Sequence, residues 1–216
     1  MIGTSAPRIF ETAADVAAAA AEIVSQTIRA QRSTRLVLAG GTTPRRCYEL
    51  LAGLDLPWGR VTVLFGDERC VPASDPESNF RAAAEALLNR ASPATVHRMA
   101  GELGPDAAAA LYEPVIAAGP LDLVLLGIGP DGHTASLFPG NAALEASGLV
   151  AGVRGAPKPP PERVTLTLRA LRGARRVVFL VAGADKREAF RLAQAGAVPA
   201  GLIPTAEWLV ARDAAP

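Results

Sequence analysis

Apolar positions along the chain fall into two kinds of run that alternate. Arg35–Ala39 (RLVLA), Val61–Phe65 (VTVLF), Leu121–Ile128 (LDLVLLGI) and Arg176–Val181 (RVVFLV) are short and almost continuously apolar. Runs of this length predict strands buried on both faces, the pattern of a parallel sheet. Between them the spacing becomes helical. Thr12 is placed to cap a helix running to about Ala30, with Val16, Ile23, Val24 and Ile28 on its apolar face. Thr43 followed by Pro44 reads as an N-cap and first helical position, opening a helix to about Leu51. Further helices are expected from about Ser78 to Arg90, over Asp106–Ala118, from Lys186 to about Ala195, and briefly from near Thr205. Thr95–Met99 and the alternating Arg163–Leu168 (RVTLTL) predict two more strands, and the Gly- and Pro-rich stretch Gly152–Pro161 predicts a loop.

Strands alternating with helices imply an α/β fold with a mostly parallel central sheet and helices on both faces. The 216 residues contain no break long enough to separate a second domain, so one domain over residues 1–216 is expected. In such folds ligands bind beyond the carboxyl ends of the strands. Four of the strands end there in polar, glycine-bearing loops.

The first loop is Gly40-Gly41-Thr42-Thr43-Pro44. Its glycines allow close backbone approach, and a helix N-terminus with two hydroxyls suits an anion. It fits an ordinary strand-to-helix turn equally well. The second is Asp67-Glu68-Arg69, three charges that could pair among themselves. Functionally, Arg69 offers a planar fork to a phosphate, and Asp67 could accept from sugar hydroxyls or orient the arginine. The third, residues 127–140 (GIGPDGHTASLFPG), follows the most apolar strand and carries His133. Histidine titrates near neutrality, as a general base should, and Asp131 stands two residues away as a possible orienting group. The other histidine, His97, has no supporting pattern and is read as structural or surface. The fourth is Gly183-Ala184-Asp185-Lys186, and Arg163 after three prolines is a further candidate cation.

Composition narrows the chemistry. Net charge is +1, which gives no electrostatic case for nucleic acid or membrane, so an anionic ligand needs a local basic pocket. Lys158 and Lys186 are the only lysines against twenty arginines, which singles each of them out. No run reaches the roughly 18 apolar residues of a membrane span. The N-terminus does not read as a signal peptide, and two isolated cysteines suit a reducing compartment; a cytoplasmic location is expected. Cys47 reads as a small apolar packer; Cys70 beside Arg69 could have a lowered pKa, but no partner base in a recognisable arrangement supports a cysteine nucleophile, so neither cysteine is read as functional. Two isolated histidines and two isolated cysteines make no zinc pattern, and no Gly-x-Ser-x-Gly elbow occurs.

Taken together, Ala-Gly-Gly-Thr-Thr-Pro (39–44), Gly-Asp-Glu-Arg-Cys-Val-Pro (66–72) with Ser78-Asn79-Phe80, the 127–140 loop, Lys-Pro-Pro-Pro-Glu-Arg-Val-Thr-Leu-Thr (158–167) and Gly-Ala-Asp-Lys (183–186) resemble the 6-phosphogluconolactonase family over nearly the whole chain. Thr42 stands where that family more often has serine, and the hydroxyl is kept. The resemblance implies a Rossmann-like α/β fold and hydrolysis of 6-phosphogluconolactone to 6-phosphogluconate, the second step of the oxidative pentose phosphate pathway. It implies no cofactor and no metal. On this basis the catalytic residues are His133 and Asp131, and the substrate and its phosphate are bound by Gly40, Gly41, Thr42, Thr43, Asp67, Arg69, Arg163 and Lys186, with Asp67 on the sugar hydroxyls or the arginine. A monomer or weak homo-oligomer is expected, with a sugar-phosphate lactone as its only partner. Glucosamine-6-phosphate deaminases share this fold and a related Asp-Gly-His loop, with a glutamate five residues after the histidine. Here that position is Phe138, which favours the lactonase. A non-catalytic sugar-phosphate-binding regulator is the third reading, and no basic DNA-binding extension supports it.

Overall fold

A computed structural model describes residues 6–216. Its seven-stranded sheet has the order β1-β10-β9-β6-β2-β3-β5, and every neighbouring pair in it is parallel. In chain order the elements are β1 (Arg8–Phe10), α1 (Ala13–Ala30), β2 (Thr34–Leu38), α2 (Thr42–Leu51), β3 (Val61–Phe65) and β4 (Asp67–Arg69). Then come α3 (Asn79–Ala83), a π-helical turn (Ala84–Leu88), α4 (Asn89–Ala91), β5 (Thr95–Val96), α5 (Pro105–Ala117) and β6 (Leu123–Leu126). The chain ends with β7 (Val150–Val153), β8 (Arg163–Leu166), α6 (Leu168–Arg172), β9 (Val177–Val181), α7 (Arg187–Gln194) and β10 (Glu207–Ala211).

The four continuous apolar runs became β2, β3, β6 and β9, the centre of the sheet, with almost every side chain buried. The first helix begins as the sequence indicated. Thr12 and Asp15 form a reciprocal capping box, and Val16, Ile23, Val24 and Ile28 are buried. α1 packs against α2 and lies over β9 and β10.

Several expectations are corrected. The segment expected to turn helical near Thr205 is instead β10, parallel to β9, with Trp208 stacked on Phe179 at a centroid distance of 4.1 Å. A short apolar run does not by itself distinguish strand from helix, and the open edge of β9 decides it. Arg163–Leu168 is strand only to Leu166 and lies outside the main sheet. β8 pairs antiparallel with β4 on one side and β7 on the other, forming a second, three-stranded sheet. Asp67–Arg69, expected as a loop, is therefore a strand, and the expected 152–161 loop begins inside β7. α2 starts at Thr42 with Gly41 as its N-cap and no side-chain cap, two residues earlier than the Thr43–Pro44 pair suggested.

Chain direction fixes the site. From β2 the chain moves outward through β3 to β5, whereas β6, β9 and β10 lie on the other side of β2. The order reverses between β2 and β6, and a crevice opens at their carboxyl ends.

Candidate active site

A cavity of about 480 Å³ occupies that crevice. Its walls come from the ends of β2 (Ala39 to Pro44), β4 (Asp67, Arg69), β6 (Gly127 to Pro130, His133) and β9 (Ala182, Lys186), with Lys158, Pro159 and Arg163 from the segment leading into β8. The cavity thus brings together His133, Gly40, Gly41, Thr42, Thr43, Asp67, Arg69, Arg163 and Lys186. Asp131 stands behind His133.

The His133 ring is fixed on three sides. Its Nδ1 lies 2.5 Å from Asp131 Oδ1. Its face tilts against Phe138, with centroids 4.5 Å apart. Thr134 ties the turn back to β6 by donating its hydroxyl to Gly127 O at 2.9 Å. Gly129 lies under the ring, where any Cβ would overlap the imidazole and the Asp131 carboxylate. With Nδ1 given to Asp131, Nε2 has no hydrogen-bond partner among the described residues and is the nitrogen free for substrate or water. Burial pulls the His133 pKa below its ordinary value, outweighing the opposing pull of Asp131 and, more weakly, Asp67. Burial also pushes the Asp131 carboxyl up, but the hydrogen bond and charge of His133 leave it lower than usual. The pair therefore holds a neutral, oriented imidazole at neutral pH.

Three of the four cavity cations are already engaged. Arg69 donates to the carbonyl of Glu77 and lies 3.6 Å from that residue's carboxylate, while its Nε is buried with no partner. Lys186 Nζ pairs with Asp185 at 2.7 Å. Arg163, read from the sequence as a phosphate cation, is almost fully buried. It donates to the carbonyls of Pro160 (3.1 Å), Lys158 (3.1 Å) and Pro159 (3.3 Å), and its guanidinium lies 5.4 Å from the Phe138 ring centroid. Most of its donors therefore shape the 158–160 segment. Burial lowers its pKa from the ordinary value.

Lys158 was not among the expected ligands, although its rarity was the signal available. It is exposed at the cavity and makes no ion pair among the described residues. At the head of α2 the first-turn amides have no side-chain cap and face the same space, a ready anion site.

Glu68, second of the three consecutive charges, is turned away from the cavity. It accepts from the amides of Arg69, Asn79 and Phe80 and from the Ser78 hydroxyl at 2.7–3.0 Å, so it organises the start of α3. Burial pushes its pKa up despite those donors. Cys70 does not have a lowered pKa: burial, with Glu162 and Glu68 nearby, pushes its thiol up to about 11. Cys47 is fully buried, as an apolar packer should be. His97 is tied in through its backbone, its amide donating to Val63 O and its carbonyl accepting from Tyr112. Among the described residues no group of three or more His, Cys, Asp or Glu is arranged to hold a metal, and no helix is long and apolar enough to cross a membrane.

An α/β sheet with an oriented histidine facing a cation-lined crevice at its switch point defines a class of small-molecule enzyme site. The chain belongs to the family described as glucosamine-6-phosphate isomerases/6-phosphogluconolactonase, whose profile matches residues 8–211. It is 39% identical to the 6-phosphogluconolactonase of Mycobacterium leprae, over 96% of each chain. It is 40% identical to that of Streptomyces coelicolor, over 83% of this chain and 78% of the relative. The crystal structure of 6-phosphogluconolactonase from Thermotoga maritima superimposes with a TM-score of 0.87 at 31% identity, covering 95% of this chain and 98% of the other.

Proposed function

We propose that this chain hydrolyses 6-phospho-D-glucono-1,5-lactone to 6-phospho-D-gluconate, the second step of the oxidative pentose phosphate pathway, with His133 as general base. The observation that carries the reading is the His133–Asp131 pair, which leaves Nε2 free at a cavity rich in cations. The named relatives above support the choice of reaction.

The phosphate is the handle. Amides and hydroxyls of Gly40–Thr43 receive it, with Lys186, Arg69, Lys158 and the two remaining Nη1 donors of Arg163 supplying charge. Binding energy at that end positions the lactone carbonyl beside His133. Nε2 takes a proton from water, and the oxygen of that water bonds to C1. The carbonyl electrons move onto oxygen, where the donors would be amides of the 127–133 turn other than those of Gly129, Gly132 and His133, which already donate within the turn. The intermediate collapses, the C1–ring oxygen bond breaks, and the imidazolium returns its proton to the leaving oxygen. Asp131 holds the ring so that Nε2 faces the water and stabilises the imidazolium. General-base catalysis of this kind contributes about 10²- to 10⁴-fold.

The test is hydrolysis of freshly generated 6-phosphogluconolactone, with His133→Ala as control and spontaneous opening subtracted. Rates no faster than the uncatalysed background in the wild type would refute the reading. Ammonia release from glucosamine 6-phosphate would point to the deaminase chemistry instead. Against that chemistry stands Phe138, a buried ring at the position where a proton-shuttling glutamate would be needed.

A further inference from the structure

Asp67 faces the cavity, yet it is only 6% exposed and both of its carboxylate oxygens are taken. Asn79 Nδ2 donates to Oδ1 at 3.2 Å and to the Asp67 carbonyl at 3.0 Å. The Ser136 hydroxyl donates to Oδ2 at 2.6 Å. These donors come from different parts of the chain, and each is fixed in turn. Ser136 lies fully buried three residues after His133, and its amide donates to Thr165 Oγ1 on β8 at 3.1 Å. The Asn79 amide donates to Glu68 at 2.7 Å. Because Nδ2 faces two acceptors, Oδ1 of Asn79 must face the other way, against Gly40, where a Cβ would overlap it. A continuous set of contacts, Gly40–Asn79–Asp67–Ser136, therefore joins the phosphate loop to the turn that carries His133.

Burying a carboxylate with two dedicated donors is costly, and apolar residues of similar shape are often neutral or better for stability. The arrangement makes sense if the charge is used. We propose that Ser136 and Asn79 are positioning residues that aim the Asp67 carboxylate at His133, where it serves as a fixed counter-charge for the imidazolium. This rests on the general-base role of His133 proposed above. Asp131 from its own loop pairs with His133, and the charged groups lining the same cavity are Asp67 and Arg69 from β4, Glu77 before α3, Lys158 and Arg163 from the segment leading into β8, and Lys186 after β9. Asp131 occupies Nδ1 and sets the ring's orientation. Asp67 acts through space, and both of its oxygens already accept from the protein. The proton that His133 takes from water passes on to the ring oxygen of the lactone, and Asp67 exchanges none.

With two histidines in the chain, the imidazole carbon protons of His133 can be followed by NMR as pH is varied, assigned by their loss in His133→Gln. Ser136→Ala is expected to move the His133 midpoint to lower pH and to reduce kcat about tenfold, the low end of what one hydrogen bond to a charged group is worth. KM should be unchanged. Asp67→Asn should shift the midpoint further in the same direction, and Ser136→Ala added to it should change neither readout again. A residue that only supported the fold would lower the melting temperature without moving the midpoint. Unshifted His133 titration in both single variants, or full additivity in the double, would overturn the proposal. If Ser136→Ala does not fold, Asp67→Asn and Asn79→Ala decide it by the same titration. The titration needs no substrate, so its failure is distinct from a failure of the wild type to open the lactone.

Discussion

The phenyl ring of Phe138 packs on the imidazole of His133 at 4.5 Å between centroids, and its own centroid lies 5.4 Å from the guanidinium of Arg163. One buried side chain thus joins His133 to the residue that shapes the Lys158 segment. Its contact is part of the burial that pulls the His133 pKa down. Truncation to alanine should cost about 3–5 kcal/mol of stability, as for other buried phenylalanines, measured by urea unfolding. Activity should fall beyond what the unfolded fraction explains.

His133→Ala should lower kcat by about 10²- to 10⁴-fold with substrate affinity largely kept. Near-wild-type turnover after background subtraction would remove His133 from the mechanism.

The pH dependence follows from the direction of the His133 shift. An unperturbed histidine has a pKa of about 6.5, and burial places this one lower, so the acid limb of kcat/KM should lie below that value. Asp131 pulls the His133 pKa up, so Asp131→Asn should move the limb further toward acid. The same variant should lower kcat by roughly 100-fold or more through loss of the fixed tautomer. The effect should stay short of the 10⁴ seen for the fully buried aspartate of serine proteases, because the Asp131 side chain is 34% exposed. A limb above pH 6.5 in the wild type would contradict the assignment. Linkage has the same sign: the unfolded chain protonates His133 more readily, so its contribution to stability is lost as pH falls through that window.

Lys186→Ala and Lys158→Ala should each raise KM, about tenfold, with kcat little changed. Equilibrium binding of 6-phosphogluconate to the two variants checks this without turnover. The wild-type affinity should weaken with added salt, and less steeply once either lysine is gone. An unchanged KM in Lys158→Ala would mean that its ammonium is merely solvated.

Glu68→Gln should destabilise the fold by about 1–3 kcal/mol, read as a lower melting temperature. Both carboxylate oxygens face donors, so the new amide group must point at one pair of them. Catalytic constants per folded molecule should hold.

How much of this was legible in the sequence depends on where the deciding contact lies. β2, β3, β6 and β9 were readable because both of their faces are buried, which leaves an uninterrupted apolar run. β10 was not, since only its pairing with β9 separates a strand from a short helix. β4 was hidden because Asp67-Glu68-Arg69 looks like a solvated loop. Its pairing with β8, and the helix start that Glu68 organises, are contacts between residues far apart or on another element. His133 and Asp131 were legible as neighbours in one loop, but their spacing alone did not show that Asp131 reaches Nδ1. The buried state of Arg163 could not be read from its own surroundings in the sequence, because it depends on Phe138 and on three carbonyls curling back around it. Ser136 and Asn79 are ordinary polar residues until the fold brings Asp67 between them.

Gly129 has no side chain to offer, and yet the proposed His133–Asp131 pair depends on it. Every other amino acid would place a carbon where the imidazole and the Asp131 carboxylate now meet. In a saturation mutagenesis screen for turnover, position 129 should therefore be as intolerant as position 133 itself. A conventional search for reactive side chains would pass over it.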